Sequence, residues 1–211
     1  MAEFKDCITS VVFFCGCDMN CQFCQNPDLI TGKDCEVMDW QDVAQEVEWD
    51  VIDWLSLTGG EPLYSVSSGY QGDQLVSLLS YAREERVRVN LDTNGYYGDM
   101  RKESLLLKVA PLLDCVSVDI KYLDPYMIAR TKQSLERAKI FNKCRFRMVA
   151  YKGMYYKNPY GMKKLAESGI RKIRLMDNSG HGRGKNLGKA GKEMIHKMIE
   201  YFDEYGIELH E

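Results

Sequence analysis

Apolar and polar positions along the chain follow two alternating patterns. Short runs rich in β-branched and aromatic residues predict buried strands, and the amphipathic stretches between them predict helices. This alternation indicates a parallel sheet covered by helices. The predicted strands are Ile8–Phe14, Trp54–Thr58, Val87–Leu91, Cys115–Val118, Cys144–Ala150 and Lys172–Met176; the predicted helices are Trp40–Glu48, Gln74–Glu85, Lys102–Leu107, Met127–Phe141, Pro159–Ser168 and Gly191–Tyr205.

The spacing of the predicted strand ends narrows the fold class. Consecutive ends at Gly59, Asp92, Asp119, Ala150 and Asp177 are 33, 27, 31 and 27 residues apart. An eight-unit barrel of about 250 residues uses roughly 31 residues per unit, so 211 residues provide about six to seven units. We therefore predict an α/β fold, a partial (β/α)6 barrel resembling a TIM barrel. A doubly wound sheet is the alternative that the same alternation permits.

Polar and reactive residues gather directly after the predicted strands. In a barrel all such residues emerge at one mouth, where chemistry occurs. In a doubly wound sheet only those near the switch point meet. Five groups in such positions favour the barrel: Cys17–Cys24, Gly59–Glu61, Asp92–Asn94, Asp119 with Lys121, and Asp177–His181.

Composition and charge exclude several function classes. No low-complexity tract or linker divides the chain, so we expect a single domain over residues 1–211. The net charge of −3 gives no basic field for nucleic acid. No apolar run approaches the roughly 18–20 residues that span a membrane, and the N-terminus lacks the pattern of a secretory signal. We expect a cytoplasmic protein, in which eight cysteines are metal ligands or buried thiols rather than a disulfide framework.

Three of these cysteines form a compact motif. Cys17, Cys21 and Cys24 have the spacing C-x3-C-x2-C, in a segment that follows the first predicted strand. Thiolates at such short spacing can wrap a single iron–sulfur cluster. Three ligands for a four-iron cluster leave one iron open, as at catalytic zinc sites that keep a vacant position for substrate.

A zinc knuckle is the competing interpretation, with Cys7, Cys15 or Cys35 as a fourth ligand. Structural zinc sites pair two cysteine or histidine halves that lie apart in sequence, and this chain has no second half. We therefore take Cys7, Cys15 and Cys35 as non-ligands. Cys115 and Cys144 lie in predicted strands and are expected to pack as small apolar residues.

With these residues the chain resembles the radical S-adenosylmethionine (SAM) superfamily. The resemblance rests on the three cysteines, on Phe23 before the last of them, and on Gly59-Gly60-Glu61-Pro62 after the second predicted strand. It implies a [4Fe–4S] cluster whose unique iron binds the amino and carboxylate groups of SAM. It also implies cleavage of SAM to methionine and a 5′-deoxyadenosyl radical, with Phe23, Gly59, Gly60 and Glu61 among the cofactor-binding residues. The alternative for Gly59-Gly60 is a tight turn.

Two further motifs resemble those of glycyl-radical enzyme activases. Asp92-Thr93-Asn94-Gly95 and Asp119-Ile120-Lys121 look like the DTNG and DIK motifs of the anaerobic ribonucleotide reductase and pyruvate formate-lyase types. Neighbouring carboxylates suit a hard cation or an ammonium group, and Lys121 supplies a charge for a carboxylate. In the activases these positions bind SAM and, in some members, a monovalent cation. The alternatives are turn chemistry at Asn94-Gly95 and a rim salt bridge between Asp119 and Lys121.

The glycine-rich segment Asn178–Gly188 is expected to be a mobile loop at the barrel mouth. Activases carry a His–Gly–Lys pattern here, which implies that His181 lies beside the SAM adenosine. The Leu-Pro that often precedes that histidine is absent, so a solvated loop histidine is the alternative. The aromatic and lysine-rich segment Tyr151–Tyr160 is interpreted as a partner-docking or packed loop.

These motifs favour a glycyl-radical enzyme activase that removes a hydrogen from a glycine of a partner protein such as anaerobic ribonucleotide reductase. Its electron donor is expected to be a flavodoxin or ferredoxin. The alternative is a small-molecule radical SAM enzyme resembling 7-carboxy-7-deazaguanine synthase, which shares the GGEP and TNG-like motifs; Asp119-Ile120-Lys121 fits the activases better. A third interpretation is a non-catalytic zinc or iron–sulfur module.

Overall fold

The computed structural model describes residues 4–32, 35–65, 69–178 and 180–210. Seven strands form one sheet in which every neighbouring pair is parallel and the spatial order equals the chain order. They are β1 Thr9–Phe14, β2 Trp54–Gly59, β3 Arg88–Thr93, β4 Cys115–Asp119, β5 Cys144–Ala150, β6 Lys172–Asp177 and β7 Glu208–His210.

This strand order confirms the partial barrel. A doubly wound sheet reverses its order at a switch point, and the sequential order here has none. Within the described ranges β1 and β7 each pair with one neighbour only, so the sheet is open along that side. The short strand β7 lies outside the six that the sequence predicts, because three residues carry too little pattern to indicate a strand.

Helices follow the strands and cover the outer face of the sheet. Asp39, Asp99, Asp124 and Asn158 cap four of them by accepting a hydrogen bond from a backbone N–H of the first turn. None of the helices in the described ranges is long and apolar enough to cross a bilayer. The helices are α1 Pro27–Thr31, α2 Trp40–Glu46, α3 Pro62–Ser65, α4 Gly69–Glu84, α5 Met100–Val109, α6 Pro125–Arg137, α7 Pro159–Glu167 and α8 Lys192–Asp203.

The two faces of the sheet differ in polarity. Leu57, Leu91 and Val118 point toward the helices and are fully buried in the main apolar core. The intervening positions face the barrel interior. There Asn90 donates to the Ser56 hydroxyl over 3.0 Å and accepts from the Ser117 hydroxyl over 3.1 Å. A polar interior is therefore available to bind a polar ligand.

An aromatic stack closes the end of the interior at which the strands begin. The Phe4 ring lies on Trp54 with centroids 3.8 Å apart and planes 5° from parallel. The guanidinium of Arg88 lies 4.5 Å from the Trp54 ring centre, and that of Arg145 lies 4.8 Å from the Phe4 ring centre. With this floor in place, the carboxyl ends of the strands form the accessible mouth.

Candidate active site

The three motif cysteines lie in the loop between β1 and α1, at the barrel mouth. All three are free thiols. Cys21 and Phe23 are buried together against Val149 of β5. The Phe23 ring also packs on Tyr151, with centroids 5.3 Å apart. The loop therefore reaches across the mouth and is held to the opposite strand by an apolar contact.

Burial raises the pKa of two of the three motif thiols, Cys17 and Cys21. It raises the pKa of Cys17 to about 11, and the carboxylates of Glu61 and Asp18 contribute to the rise. Burial also raises the pKa of Cys21, although Lys121 opposes the shift. Iron binds thiolates, so loading a cluster onto this loop releases protons.

Three free thiols in one loop are the donor type that iron–sulfur clusters use. In the described part of the chain, no three side chains of the His, Cys, Asp and Glu types converge closely enough to hold one metal ion. A four-iron cluster does not require such convergence, because each thiolate binds a different iron.

The cysteines that a zinc site would need as a fourth ligand are engaged elsewhere. Cys15 and Cys35 form a disulfide with Cα atoms 6.4 Å apart, so the expectation that the cysteines are metal ligands or buried thiols is wrong for these two. Cys7 packs beside the floor residues Phe4 and Trp54. That Cys7, Cys15 and Cys35 are not cluster ligands stays a prediction.

Gly59 and Gly60 join the end of β2 to the start of the cysteine loop. Gly60 N–H donates to the Phe14 carbonyl over 2.7 Å, and Glu61 N–H donates to the Gly16 carbonyl over 2.8 Å. Gly59 has φ of +110°, and a Cβ on Gly60 would overlap the Gly16 carbonyl oxygen. This close approach requires glycine and fixes the backbone next to Cys17.

We expect Gly60→Ala to destabilise the protein by about 1–3 kcal/mol, because the added methyl displaces Gly16. Iron bound per chain after reconstitution should also fall, since Cys17 moves with Gly16. Iron analysis and urea unfolding measure the two effects. Gly191→Ala is the matched control, because its Cβ meets open space; equal iron contents in the two variants would contradict this role.

The Glu61 side chain is enclosed rather than exposed in the mouth. Its carboxylate is fully buried and accepts from Thr93 Oγ1 at 2.9 Å and from Asn94 N–H at 2.7 Å. Lys102 Nζ lies 3.5 Å away. Burial raises the pKa of Glu61, while Lys102 and the Asn94 N–H oppose the rise. Glu61 thus ties the end of β2 to the end of β3.

Lys102 on α5 completes a buried polar network that the sequence analysis misses. Its ammonium is fully buried, donates to Asn94 Oδ1 at 2.8 Å and lies 3.2 Å from Asp18 Oδ2. Asn94 in turn donates to Asp18 Oδ1 at 2.7 Å. Because Asp18 adjoins Cys17, this network joins three motifs: the cysteine loop, Gly59–Glu61 and Asp92–Gly95.

A second polar group occupies the ends of β3, β4 and β5. Asp119 accepts from Lys121 Nζ at 2.6 Å and from Arg147 Nε at 2.9 Å. Arg147 Nη2 also lies 3.5 Å from Asp92 Oδ2. Although burial raises the pKa of Asp119, Lys121 and Arg147 lower it below its ordinary value, so the carboxylate stays ionised at neutral pH.

This second group touches the cysteine loop through Lys121, whose Nζ lies 5.5 Å from the Phe23 ring centre. The Asp119–Lys121 salt bridge does form, and it is largely buried rather than on an exposed rim. Arg147 is a further residue that sequence reasoning misses. An arginine within an apolar strand is the available signal, because such a charge requires a partner on the same face.

In the predicted loop Asn178–Gly188, Ser179 lies outside the described residues, and residues 180–188 pack against the cysteine loop. Arg183 N–H donates to the Cys24 carbonyl over 2.9 Å, and a Cβ on Gly182 would overlap the Cys24 and Gln25 carbonyl oxygens. Asn178 is buried and donates to the Gly184 and Gly188 carbonyls at 2.7 and 3.1 Å. His181 is exposed at the start of this turn.

Comparison with known proteins places this geometry in context. A sequence profile described as the radical SAM superfamily matches residues 11–186. This range includes the three cysteines, strands β2 to β6, and β1 from its third residue onward; β7 lies outside it. The matched range covers most of the chain.

Two curated relatives carry more specific names. The pyruvate formate-lyase-activating enzyme of Streptococcus mutans is 30% identical over 123 residues, which are 56% of this chain and 46% of the relative. A Methanocaldococcus jannaschii protein, provisionally named a glycyl-radical enzyme activating enzyme, is 27% identical over 113 residues, 54% of this chain and 43% of the relative. The chain thus spans less than half the length of these relatives.

Solved structures share the fold at low identity. SuiB of Streptococcus suis, in a crystal structure bound to S-adenosylmethionine, has a TM-score of 0.65 at 16% identity over 96% of this chain and 50% of its own. Coproporphyrinogen III oxidase (HemN) of Escherichia coli, described as a radical SAM enzyme, has a TM-score of 0.58 at 13% identity over 97% of this chain and 54% of its own.

Proposed function

The chain belongs to the radical SAM superfamily, and we propose that it is a glycyl-radical enzyme activase that binds a [4Fe–4S] cluster through Cys17, Cys21 and Cys24. One observation carries the proposal: Lys121, paired with Asp119 at the end of β4, lies against Phe23 of the cysteine loop. The motif at the end of β4, which fits the activases better than the small-molecule enzymes, therefore adjoins the cluster-binding loop.

When bound, the cluster supplies the electron that cleaves SAM to methionine and a 5′-deoxyadenosyl radical. The chain's own residues hold the reactants for this step. Buried Phe23 and Val149 exclude water from the side of Cys21. The backbone of Gly59 and Gly60 fixes the loop beside Cys17. Because the loop offers three thiolates, one iron of a bound four-iron cluster would be left for SAM.

The polar groups of the mouth suit the amino-acid part of SAM. The Lys121 ammonium attracts its carboxylate, and the Asp92 and Asp119 carboxylates attract its ammonium group or a monovalent cation. Arg147 balances the two carboxylates, so the pocket is not strongly negative. The Glu61 side chain is enclosed with Thr93. The Gly59–Glu61 segment therefore contacts SAM through backbone atoms of the segment. We propose His181 as a contact of the adenosine.

The proposed substrate is a glycine of a partner glycyl-radical enzyme. Two relatives named as activating enzymes support this choice over a small-molecule substrate. The open side of the barrel also suits a protein loop better than a closed barrel does. Transfer of the glycine Cα hydrogen atom to the deoxyadenosyl radical gives 5′-deoxyadenosine and a glycyl radical. We propose a flavodoxin or ferredoxin as electron donor.

We expect Lys121→Met to weaken SAM binding about tenfold or more, because a charged hydrogen bond contributes about 1.5–3 kcal/mol. Iron content should remain near that of the wild type, since Lys121 is not a cluster ligand. Equilibrium dialysis of SAM and iron analysis on the same reconstituted sample separate the two effects. Release of 5′-deoxyadenosine after reduction reports the reaction.

Lys189→Met is the control for this variant. Lys189 is exposed and pairs with Asp177 at 3.2 Å beside the same mouth, so its loss removes an equal charge. It should bind SAM as the wild type does. If Lys121→Met binds SAM equally well, the proposed pocket at β4 is wrong; if the wild type with a full cluster forms no 5′-deoxyadenosine, the proposed activity is wrong.

A further inference from the structure

The inward face of the sheet is positively charged, although the 211 residues carry a net charge of −3. Strand register places Arg145 beside Ser117 and Arg147 beside Asp119, all on the interior face. Together with Lys121, this face has six cationic residues against three carboxylates: Arg88, Lys121, Arg145, Arg147, Lys172 and Arg174 against Asp92, Asp119 and Glu208. Positive charge is therefore concentrated inside the barrel.

Ion pairs account for only part of this charge. Lys121 and Arg147 pair with the carboxylates of the mouth, and Lys172 pairs with Glu208 at 2.9 Å. Over residues 4–32, 35–65, 69–178 and 180–210, Arg145 and Arg174 enter no salt bridge, and both are exposed.

Arg174 has no carboxylate in register with it. Its register partners are Arg147 on one side and His210 on the other. The nearby carboxylates Asp92 and Asp119 are already engaged by Arg147. The Arg174 guanidinium can therefore take an anion of a ligand, because a guanidinium binds carboxylate or phosphate through two parallel hydrogen bonds.

The open side of the barrel gives access to this position. Across the interior from Arg174, the first strand presents Val11 and Phe13, which are in register with the inward residues Ser56 and Thr58. Their exposed fractions are 47% and 57%. A ligand that enters between β1 and β7 thus meets an apolar wall on one side and arginines on the other.

We propose that Arg174 binds an anionic group of the substrate, a carboxylate or phosphate, whose apolar neighbours lie on Val11 and Phe13. This inference deepens the proposed function and rests on it. Under that function the group is an acidic side chain close to the target glycine of the partner protein. The substrate would then be held by charge on the β6 side while its glycine reaches the mouth.

Peptide binding to the reconstituted full chain tests this inference without relying on turnover. Binding of two fluorescein-labelled peptides is compared by fluorescence anisotropy. The peptides are identical except that the central glycine is flanked by glutamates in one and by glutamines in the other. The wild type should prefer the glutamate peptide. Arg174→Gln should weaken binding of that peptide about tenfold, as expected for a lost charge-assisted contact, and leave the glutamine peptide within about twofold.

Lys163→Gln is the matched control, because it removes one charge from an exposed position on the outer helix α7 and should leave both peptides unaffected. Unchanged binding of the glutamate peptide to Arg174→Gln would overturn the inference.

A second experiment measures thermal stabilisation of the protein by glutarate and by inorganic pyrophosphate. If these anions stabilise the wild type but not Arg174→Gln, while neither peptide binds, the anion subsite is supported and the protein-substrate proposal fails. If no anion effect depends on Arg174, the subsite does not exist.

Discussion

Replacing Cys17, Cys21 or Cys24 singly by Ala should abolish the iron–sulfur cluster. Anaerobically reconstituted wild-type protein should hold about four irons per chain, and each variant close to none, because a four-iron cluster bound by three thiolates has no ligand to spare. Iron and sulfide analysis measures this directly. Loss of the cluster should remove all formation of 5′-deoxyadenosine.

Two other cysteines serve as controls for the triad. Cys15→Ala removes the disulfide to Cys35 but no proposed ligand, and Cys7→Ala changes the floor at the opposite end of the barrel. Both should retain the cluster. Full iron content in all three triad variants would rule out the ligand assignment, and loss of iron in Cys15→Ala alone would shift it toward Cys15.

Lys102→Met should destabilise the protein by about 3–5 kcal/mol, the usual cost of removing one partner from a buried ionic group. The substitution leaves the buried Glu61 carboxylate without its cation and removes the donor to Asn94 and Asp18. Urea unfolding of the cluster-free protein measures the effect. Iron uptake should also fall, because Asp18 adjoins Cys17.

Lys108→Met on the same helix is the control for this variant. Lys108 pairs with Asp73 at 3.3 Å, and both side chains are more than half exposed, so its loss should change stability by at most about 1 kcal/mol. Adding Glu61→Gln to Lys102→Met should restore part of the lost stability, since it removes the uncompensated charge. A Lys102→Met variant as stable as Lys108→Met would show that the network does not support the site.

The barrel was predictable because its signals are local and repeated. Each of the six longer strands is a short apolar run, and the nearly constant distance between strand ends indicates one repeated unit. The residues that carry the site follow those ends, so the parallel topology brings them to one mouth. Within the described ranges, the three-residue strand Glu208–His210 and the short helices α1 and α3 lack a pattern long enough to be recognised.

Long-range polar contacts were not predictable in the same way. Lys102 occupies an ordinary position in an amphipathic helix, and its burial depends on Asp18 and Glu61, 84 and 41 positions away in the chain. The Cys15–Cys35 disulfide likewise requires knowledge of how the cysteine loop folds back. Arg147 shows its role only once the register places it opposite Asp119.

Electron paramagnetic resonance of a candidate partner protein tests the central claim most directly. The reduced, reconstituted protein and SAM are mixed without oxygen with each of several candidate glycyl-radical enzymes in turn. The account predicts a doublet from coupling to the one remaining Cα hydrogen, collapsing to a single line when that glycine is deuterated at Cα. A silent partner, with a small molecule driving rapid turnover of SAM, would contradict it.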